Sequence, residues 1–557
     1  MIEAKIIDGK TEVQLYEQWR ADLKNARTTY DANGKEISEY LIPRAGDWTE
    51  DGDNRQEGEK RNTSVYDGAP YRAVRTAAAG IRAGITPPSR PWFKIAPAGD
   101  PELGNYGPVR RVLDSISETM QQLLPAGGFY EAGYRASIEM LGFGSSCTMA
   151  EQDDETVARW KNVTAGRYWI SRNWKGDIDT LFRVFRPAVK ALAERFGKDN
   201  LSDSSQRLLE NQPFKKALAV HVVTPNTERE PGYIDNLNMP FKSCYYEVGL
   251  NDRVLRRGGY QTFPYQFATF DRLGDEDYGR GPGQDAIADV KLLYEYAKTA
   301  IKQQHMVSDP PVVVPEQFQG RLNLLPGGIT YGPSDPKNGI RALYDVNPDL
   351  KALWVAIQDL REMIGKSFFN DLFIFLMNNP NATATEIIKR DEEKVILLGP
   401  LVDGLGTQRL SPSLQRLADL MAMAGMLPPL PPELQDMPLR VEYTSPLVQA
   451  QKMAGITNMD MLVESTLTVA ERGYPEAMDN IDLDLWVQEK GQRMGGAVNI
   501  LRDSDEVTKR REARAQMQAQ QQKQESALAA IQAAKELSQA DTQGKNALTD
   551  LAAVGNA

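Results

Sequence analysis

The chain has 557 residues, 41% of them hydrophobic and 25% charged, with a formal net charge of −11, two histidines and two cysteines. That length exceeds one hydrophobic core, so several structural regions are expected. His221 and His305 alone leave little room for zinc sites or Ser-His-Asp and Cys-His chemistry, Cys147 and Cys244 cannot make a disulfide framework and fit a reducing cytoplasm as buried small side chains, and the acidic balance argues against a tight, sequence-reading DNA binder.

From the start, Met1 to Lys5 shows no basic segment followed by an apolar one, so no secretory signal is expected, and no apolar run approaches the roughly 18 residues that span a bilayer. Leu15, Trp19, Leu23 and Ala26 lie at helical spacing and predict a helix over 12–42, ended by Pro43. Residues 44–64 are polar and Gly-rich, a loop. Helices follow over 66–84, stopped by Pro87-Pro88, and over 108–124 and 128–142, with Val112, Ile116, Met120 and Leu124 on one face. Alternation over 145–186, with a turn at Asn173-Trp174-Lys175-Gly176, predicts strands or a hairpin; further strands fit 217–224, 244–250 and 253–260. This first half reads as α+β, and the chain as a whole as mainly helical.

The middle carries the strongest pattern. Over 283–308, Ile287, Val290, Tyr294, Ala297 and Ile301 repeat at spacings of three and four, a narrow seam for packing on another helix. Residues 309–346 are rich in Pro and Gly, with short strand candidates at Val312, Val313 and Val314, at 321–325 including Leu324, and from Ile340 to Tyr344. Asn347-Pro348-Asp349 opens a second helix, whose seam is Leu350, Leu353, Ile357, Leu360 and Ile364. The seams serve either packing between neighbouring copies or packing within one subunit. An apolar patch at 368–377 runs into Asn378-Asn379-Pro380-Asn381-Ala382-Thr383-Ala384-Thr385, where Pro380 breaks the helix and Thr383 or Thr385 caps the next. That helix is expected to continue past Gly399-Pro400 with a kink, followed by another over 411–425, a stiff Pro428–Pro432 linker, a small helical unit over 433–500 and an Ala/Gln-rich helical tail.

Motifs for chemistry are weak. Gly9-Lys10-Thr11 and Gly365-Lys366-Ser367 resemble the end of a phosphate-binding loop, but Ala4 and Leu360 stand where that loop needs Gly, so neither is read as a nucleotide site. Gly279-Arg280-Gly281-Pro282-Gly283 has the wrong spacing for a dinucleotide fingerprint and reads as a bend feeding the long helix. The pairs Asp177/Asp179 and Asp482/Asp484 are the basis of a metal-dependent alternative. No cofactor is expected.

An ordered set of segments resembles the podovirus-type head-to-tail connector, or portal, family of bacteriophages. It comprises Trp19 with Glu39-Tyr40-Leu41-Ile42-Pro43; Gly84-Ile85-Thr86-Pro87-Pro88 with Trp92-Phe93; Gly166-Arg167-Tyr168 with Gly176 and Phe196-Gly197; Tyr278-Gly279-Arg280-Gly281-Pro282; Pro326-Gly327-Gly328; and Thr383-Ala384-Thr385-Glu386. The resemblance implies a non-enzymatic virion protein, a dodecameric ring at one capsid vertex that passes double-stranded DNA without reading its sequence. The partners it implies are the terminase large subunit, the major capsid and scaffolding proteins and a tail adaptor, with no membrane. It divides the chain into a wing (1–282), a first stem helix (283–308), a clip (309–346), a second stem helix (347–370), a channel loop with further wing helices (371–432), a crown (433–505) and a C-terminal barrel helix (506–557). On that reading Asn378, Asn379, Asn381, Thr383 and Thr385 belong to the channel loop, and Lys389 and Arg390 after it are candidate phosphate contacts. Another ring-forming virion or tail protein is the nearest alternative, and a metal-dependent enzyme the next.

Overall fold

The computed structural model describes residues 2–7, 9–48, 58–98, 106–230, 232–233, 235–308, 311–314, 316, 323, 341–342, 350–371, 373–374, 398–429, 431–434, 437–445, 447–448, 456–493 and 504–539. The chain divides into two units, residues 1–99 with 111–481 and residues 100–110 with 482–557.

The first unit opens with three short strands, β1 (Ile2–Glu3), β2 (Ile6–Ile7) and β3 (Lys10–Thr11). Thr11 caps the next helix: its hydroxyl accepts the Gln14 N–H and the Gln14 side chain accepts the Thr11 N–H, so two otherwise orphaned donors are satisfied. The single helix predicted over 12–42 is two, α1 (Glu12–Ala26) and α2 (Thr28–Tyr40), broken at Arg27. The cause is a buried cation. Arg27 donates to the Tyr168 carbonyl and to the Tyr278 hydroxyl (3.2 Å), pairs with Asp31 (3.0 Å) and lies 4.8 Å from the Trp169 ring. A cation this deep is tolerable only with such a set of partners, and reaching them takes the backbone out of helical register. The inward face of α1 also differs from the predicted one. Val13, Tyr16 and Arg20 are buried while Trp19 and Ala26 are exposed, because Tyr16 stacks on Tyr246 and Arg20 lies over Trp169.

Then come α3 (Ala69–Ile85), β4 (Phe93–Pro97), α4 (Gly107–Ala126) and α5 (Phe129–Phe143). The predicted hairpin region holds β5 (Ser145–Asp153), β6 (Val157–Val163), β7 (Tyr168–Arg172) and β8 (Ile178–Phe185), with the Asn173 side chain accepting the Lys175 and Asp177 N–H groups in the turn between the last two. Two short helices, α6 (Val189–Phe196) and α7 (Asp203–Asn211), precede β9 (Ala219–Pro225), β10 (Phe241–Glu247), β11 (Arg253–Val254), β12 (Arg256–Tyr260) and β13 (Tyr265–Thr269).

These strands make an antiparallel sheet in the order β12-β10-β9-β8-β7 and a smaller one, β13-β5-β6. Side chains alternate between the faces of the larger sheet. Phe182, Val220, Val222 and Tyr246 point toward Val13 and Tyr16 of α1, while Leu181 and Val223 meet Cys147, Met149 and Tyr265 of the smaller sheet. The larger sheet is therefore covered on both sides, which is why β9 is an almost unbroken apolar run.

The second half contributes α8 (Pro282–Ser308), β14 (Val312–Val313), β15 (Arg341–Ala342) and α9 (Leu350–Ser367). It continues with α10 (Gly399–Leu405), α11 (Ser411–Met423), β16 (Leu439–Tyr443) and α12 (Ile456–Glu471). The kink expected at Gly399-Pro400 lies further on. Gly399 starts α10, and a single π turn, Gly406–Leu410, joins α10 to α11. The Tyr443 hydroxyl donates to the Gly406 carbonyl (2.9 Å), which also accepts the Ser411 N–H, and approaches the Ser411 hydroxyl (2.6 Å), while the Gln408 side-chain oxygen accepts the Thr269 N–H (2.8 Å). Tyr443 is held there because β16 pairs with β4, more than three hundred residues upstream. The segment expected to open a separate helical unit at 433 thus begins inside the main body.

In the second unit, Asp482 accepts the N–H groups of Asp484 and Leu485 at the start of α13 (Leu483–Arg493), and Arg511 of α14 (Ser504–Gln539) grips Asp484 through two contacts of 2.5 and 2.7 Å. From Lys509 to Ala529 every α14 side chain is exposed, and at 36 residues the helix is about 54 Å long.

Candidate assembly surface

The α8–α9 pair is the feature on which the sequence argument leaned, and its position is set by glycines. The chain enters α8 through Gly279, Gly281 and Gly283, pressed against the C-terminal end of α5. A Cβ on Gly279 would lie 2.5 Å from the Gly144 carbonyl oxygen, and one on Gly283 would lie 2.6 Å from that of Gly142. Gly144 itself has φ +80°, the left-handed region. The bend read from the sequence is there, and backbone closeness is its physical reason.

From this anchor the first half of α8 goes into the core. Ala286, Val290, Leu293, Tyr294 and Ala300 are buried and Ile287 is half-buried. Tyr294 donates to the Tyr40 carbonyl (2.7 Å), and Lys291 pairs with Glu36. On α9, Ile357, Leu360 and Ile364 are buried and Leu353 half-buried, joined by Phe368 and Phe373. Arg361 reaches Asp67, itself 5% exposed, at 2.8 Å, while Asp67 also accepts the Ala69 N–H at the start of α3. These seam residues share one core with α3, α5, α10 and α11. The packing visible here is within the subunit. Ile301 departs from it at 45% exposed, because α8 has left the body by then. Leu350 begins α9.

Beyond Ala300 the described side chains of α8 are largely exposed. From Ile301 to Ser308 only Gln303 is even half-buried. Met306 and Val307 are exposed, as are Trp354 (44%) and Val355 (59%) near the start of α9. The chain leaves α8 at Ser308 and enters α9 at Leu350, and between them β14 pairs antiparallel with β15, so these four apolar side chains lie toward the same end of the pair. Apolar groups gathered on the outside of two helices are the mark of a surface that another protein covers. Sequence reasoning missed them, although their signal was present: apolar residues out of register with the seam.

Val312 and Val314 are half-buried and Val313 exposed on and beside β14. Leu324, Ile340, Tyr344, Asn378, Asn379, Asn381, Thr383, Thr385, Lys389 and Arg390 lie outside the described residues.

The groups that could do chemistry are occupied structurally. His221 is fully buried, with Nδ1 2.5 Å from the Tyr265 hydroxyl, Nε2 2.8 Å from the Ser243 hydroxyl and its ring stacked 3.9 Å from that of Tyr245. Burial holds its pKa well below the usual histidine value, so the ring is neutral. Cys147 and Cys244 are buried and unpaired, and burial pushes both thiols up. Asp484 is held by Arg511, and among the described residues no group of three or more His, Cys, Asp or Glu is placed to hold a metal ion. Nor is any described helix long and apolar enough to cross a membrane.

Comparison with known proteins bears on the same question. A chain titled as the virion of a native gene transfer agent particle superposes with a TM-score of only 0.30 at 10% identity, covering 64% of this chain and 86% of that one, too loose a likeness to carry weight. Sequence is more informative. The portal protein of Salmonella phage epsilon15 is 32% identical over 551 residues, 98% of each chain. A probable portal protein of Bordetella phage BPP-1 is 34% identical over 544 residues, 96% of this chain and 97% of its own. The family described as bacteriophage head to tail connecting protein matches residues 13–501. With the two larger sheets, the α8–α9 pair and α10–α11 all inside that match, the chain belongs to the bacteriophage head-to-tail connecting protein family.

Proposed function

We propose that copies of this chain close into a dodecameric ring at one capsid vertex, with double-stranded DNA passing through the middle during packaging and ejection. The observation that carries this reading is the apolar surface at the outer end of α8–α9, Met306, Val307, Trp354 and Val355, on a chain whose full-length relatives are portal proteins. A closed ring needs two complementary faces on each subunit, and that surface supplies an apolar part of one. In this reading the α8–α9 pair is the stem, and 309–346 is the clip that meets the terminase large subunit and later a tail adaptor. Residues 1–282 form the wing beside the major capsid and scaffolding proteins, 378–385 face the channel, 433–505 form the crown and 506–557 a barrel helix. The long α14, exposed from Lys509 to Ala529, supports the last assignment, because such a helix gains stability chiefly from neighbours. The net charge of −11 per copy favours a wall that DNA slides past. Electron microscopy of the purified chain tests the proposal. Uniform rings with a central hole are the expected result, and a population that stays monomeric at every concentration, in virions as in solution, overturns it.

A further inference from the structure

In the first unit a cleft of about 540 Å³ opens where the β7–β8 turn, the β12–β13 link and the start of α11 meet. Phe241, Phe263, Tyr265 and Phe267 give it an aromatic wall. Tyr265 and Phe267 are buried and Phe263 is half-buried, its ring 5.3 Å from that of Phe241 and 6.0 Å from that of Tyr265. Gln261, Gln408 and Gln415 are exposed in the lining. The Gln408 side-chain oxygen is held by the Thr269 N–H and hydroxyl, so the amide NH2 is what that side chain has left to offer. Aromatic faces beside amide donors match a proline-rich segment. Prolines present ring faces and carbonyl acceptors but no N–H, and their fixed φ leaves little entropy to lose on docking. The chain carries such a segment in Pro428, Pro429, Pro431 and Pro432, with Glu433 after them. Pro429 and Pro432 are exposed, as are Met423 (53%) and Met426 (43%) just before them.

We propose that the 428–432 segment of each copy docks in the aromatic cleft of the next copy. Within one subunit the two stand at opposite ends of α11, which at 13 residues is about 20 Å long. A socket at one end of a helix and its ligand at the other make a head-to-tail contact, the kind that repeats from copy to copy around a ring. Arg272, exposed in the lining, offers Glu433 an opposite charge. The proposal rests on the ring reading and gives it a contact away from the α8–α9 pair.

The test is cross-linking of the full purified chain. Gln261→Cys in the cleft and Pro432→Cys on the segment change exposed positions, and Cys147 and Cys244 are buried, so the native chain serves as the blank. Treated with a short bismaleimide, the double variant is expected to run as a ladder of covalent multimers on a denaturing gel. A mixture of the two single variants should stop at dimers, and either one alone should stay monomeric. Excess synthetic peptide with the sequence of 426–433 should abolish the ladder, and a scrambled peptide should leave it unchanged. Electron microscopy of the same samples counts rings. Rings with no ladder, a product linked only within single chains, or equal suppression by both peptides overturns this contact and leaves the ring reading standing. Binding of the native-sequence peptide in a sample that has rings but no ladder would assign the cleft to a proline-rich segment of another protein. Absence of rings at every concentration overturns both.

Discussion

In the large sheet, both faces find their partners inside the chain. Val222 meets α1 and Val223 meets the smaller sheet, and the polar groups between them close on one another, as His221 does with Tyr265 and Ser243. Along α8–α9 this holds only as far as Ala300 and back from Leu353. Outward of that, Met306, Val307, Trp354 and Val355 stand in solvent on the same helices whose inner halves are core. One region is a finished fold, and the other leaves apolar side chains in solvent where the proposed ring would cover them. Burial of apolar surface drives both folding and association, so one helix can serve the subunit at one end and, in the proposed ring, a neighbour at the other.

The sharpest way to break that contrast is at Ile357, which is 0% exposed. Ile357→Asp puts a charge among apolar side chains with no partner and is expected to destabilise the subunit by about 4–5 kcal/mol, enough to unfold much of it and with it any ring. Ile357→Val should lose only about 1 kcal/mol. Urea denaturation of the two variants reads the difference. Equal midpoints for the Asp variant and the native chain would mean that α9 is not part of the core.

A smaller effect probes the closed region through pH. Glu139 on α5 is buried, and burial pushes its carboxyl up to about 8, opposed by the Ala165 N–H it accepts at 3.0 Å. The unfolded chain ionises this group near the ordinary carboxylate value, so between there and about 8 the folded state holds more protons. Stability from Glu139 is therefore full at low pH and falls, by a few kcal/mol in all, as pH rises toward 8. Glu139→Gln keeps an acceptor for Ala165 and is expected to remove this slope, so the variant should outlast the native chain at pH 8–9 in thermal melts. Glu151 behaves oppositely. Burial raises its pKa, but Arg195 and Lys161 outweigh that and bring it to about 2, so its contribution is lost only as pH falls from the ordinary carboxylate range toward that value. A native chain whose stability is flat from pH 5 to 8 would refute the buried, neutral state of Glu139.

How much of this was readable from sequence follows from which forces are local. Spacing of apolar residues located α3, α4, α5, α8 and α9, because a helix that packs on a core must repeat near 3.6 residues. The Asn173 turn and the strand at β9 were legible because turn chemistry and short strand-like runs are also local. Arg27 was not, since nothing in 12–42 announces that Tyr168, Tyr278 and Trp169 will gather around one cation and break the helix. The β4–β16 pairing and the Tyr443 support for the π turn depend on residues hundreds of positions apart, and a five-residue strand carries too weak a pattern to reveal its partner. The seam was readable at the assembly surface, but its outer face was not. A periodic stripe draws attention to the residues that keep register, and Trp354 and Val355 are those that break it.

The smallest expected effect on the subunit is also the one that separates its two regions. Trp354→Ser with Val355→Ser removes apolar groups that are already about half in solvent, so little burial is lost on unfolding and the monomer should change by about 0.5 kcal/mol or less. Association is different. If copies meet on this face, both side chains leave water completely only in the assembly, and large aromatics at such centres account for much of the binding energy. Urea midpoints should then match the native chain while sedimentation shows rings giving way to smaller species. If instead the double variant unfolds as readily as a core variant, Trp354 and Val355 belong to the subunit's own packing. The boundary between finished fold and assembly surface would then have to move outward, past the start of α9.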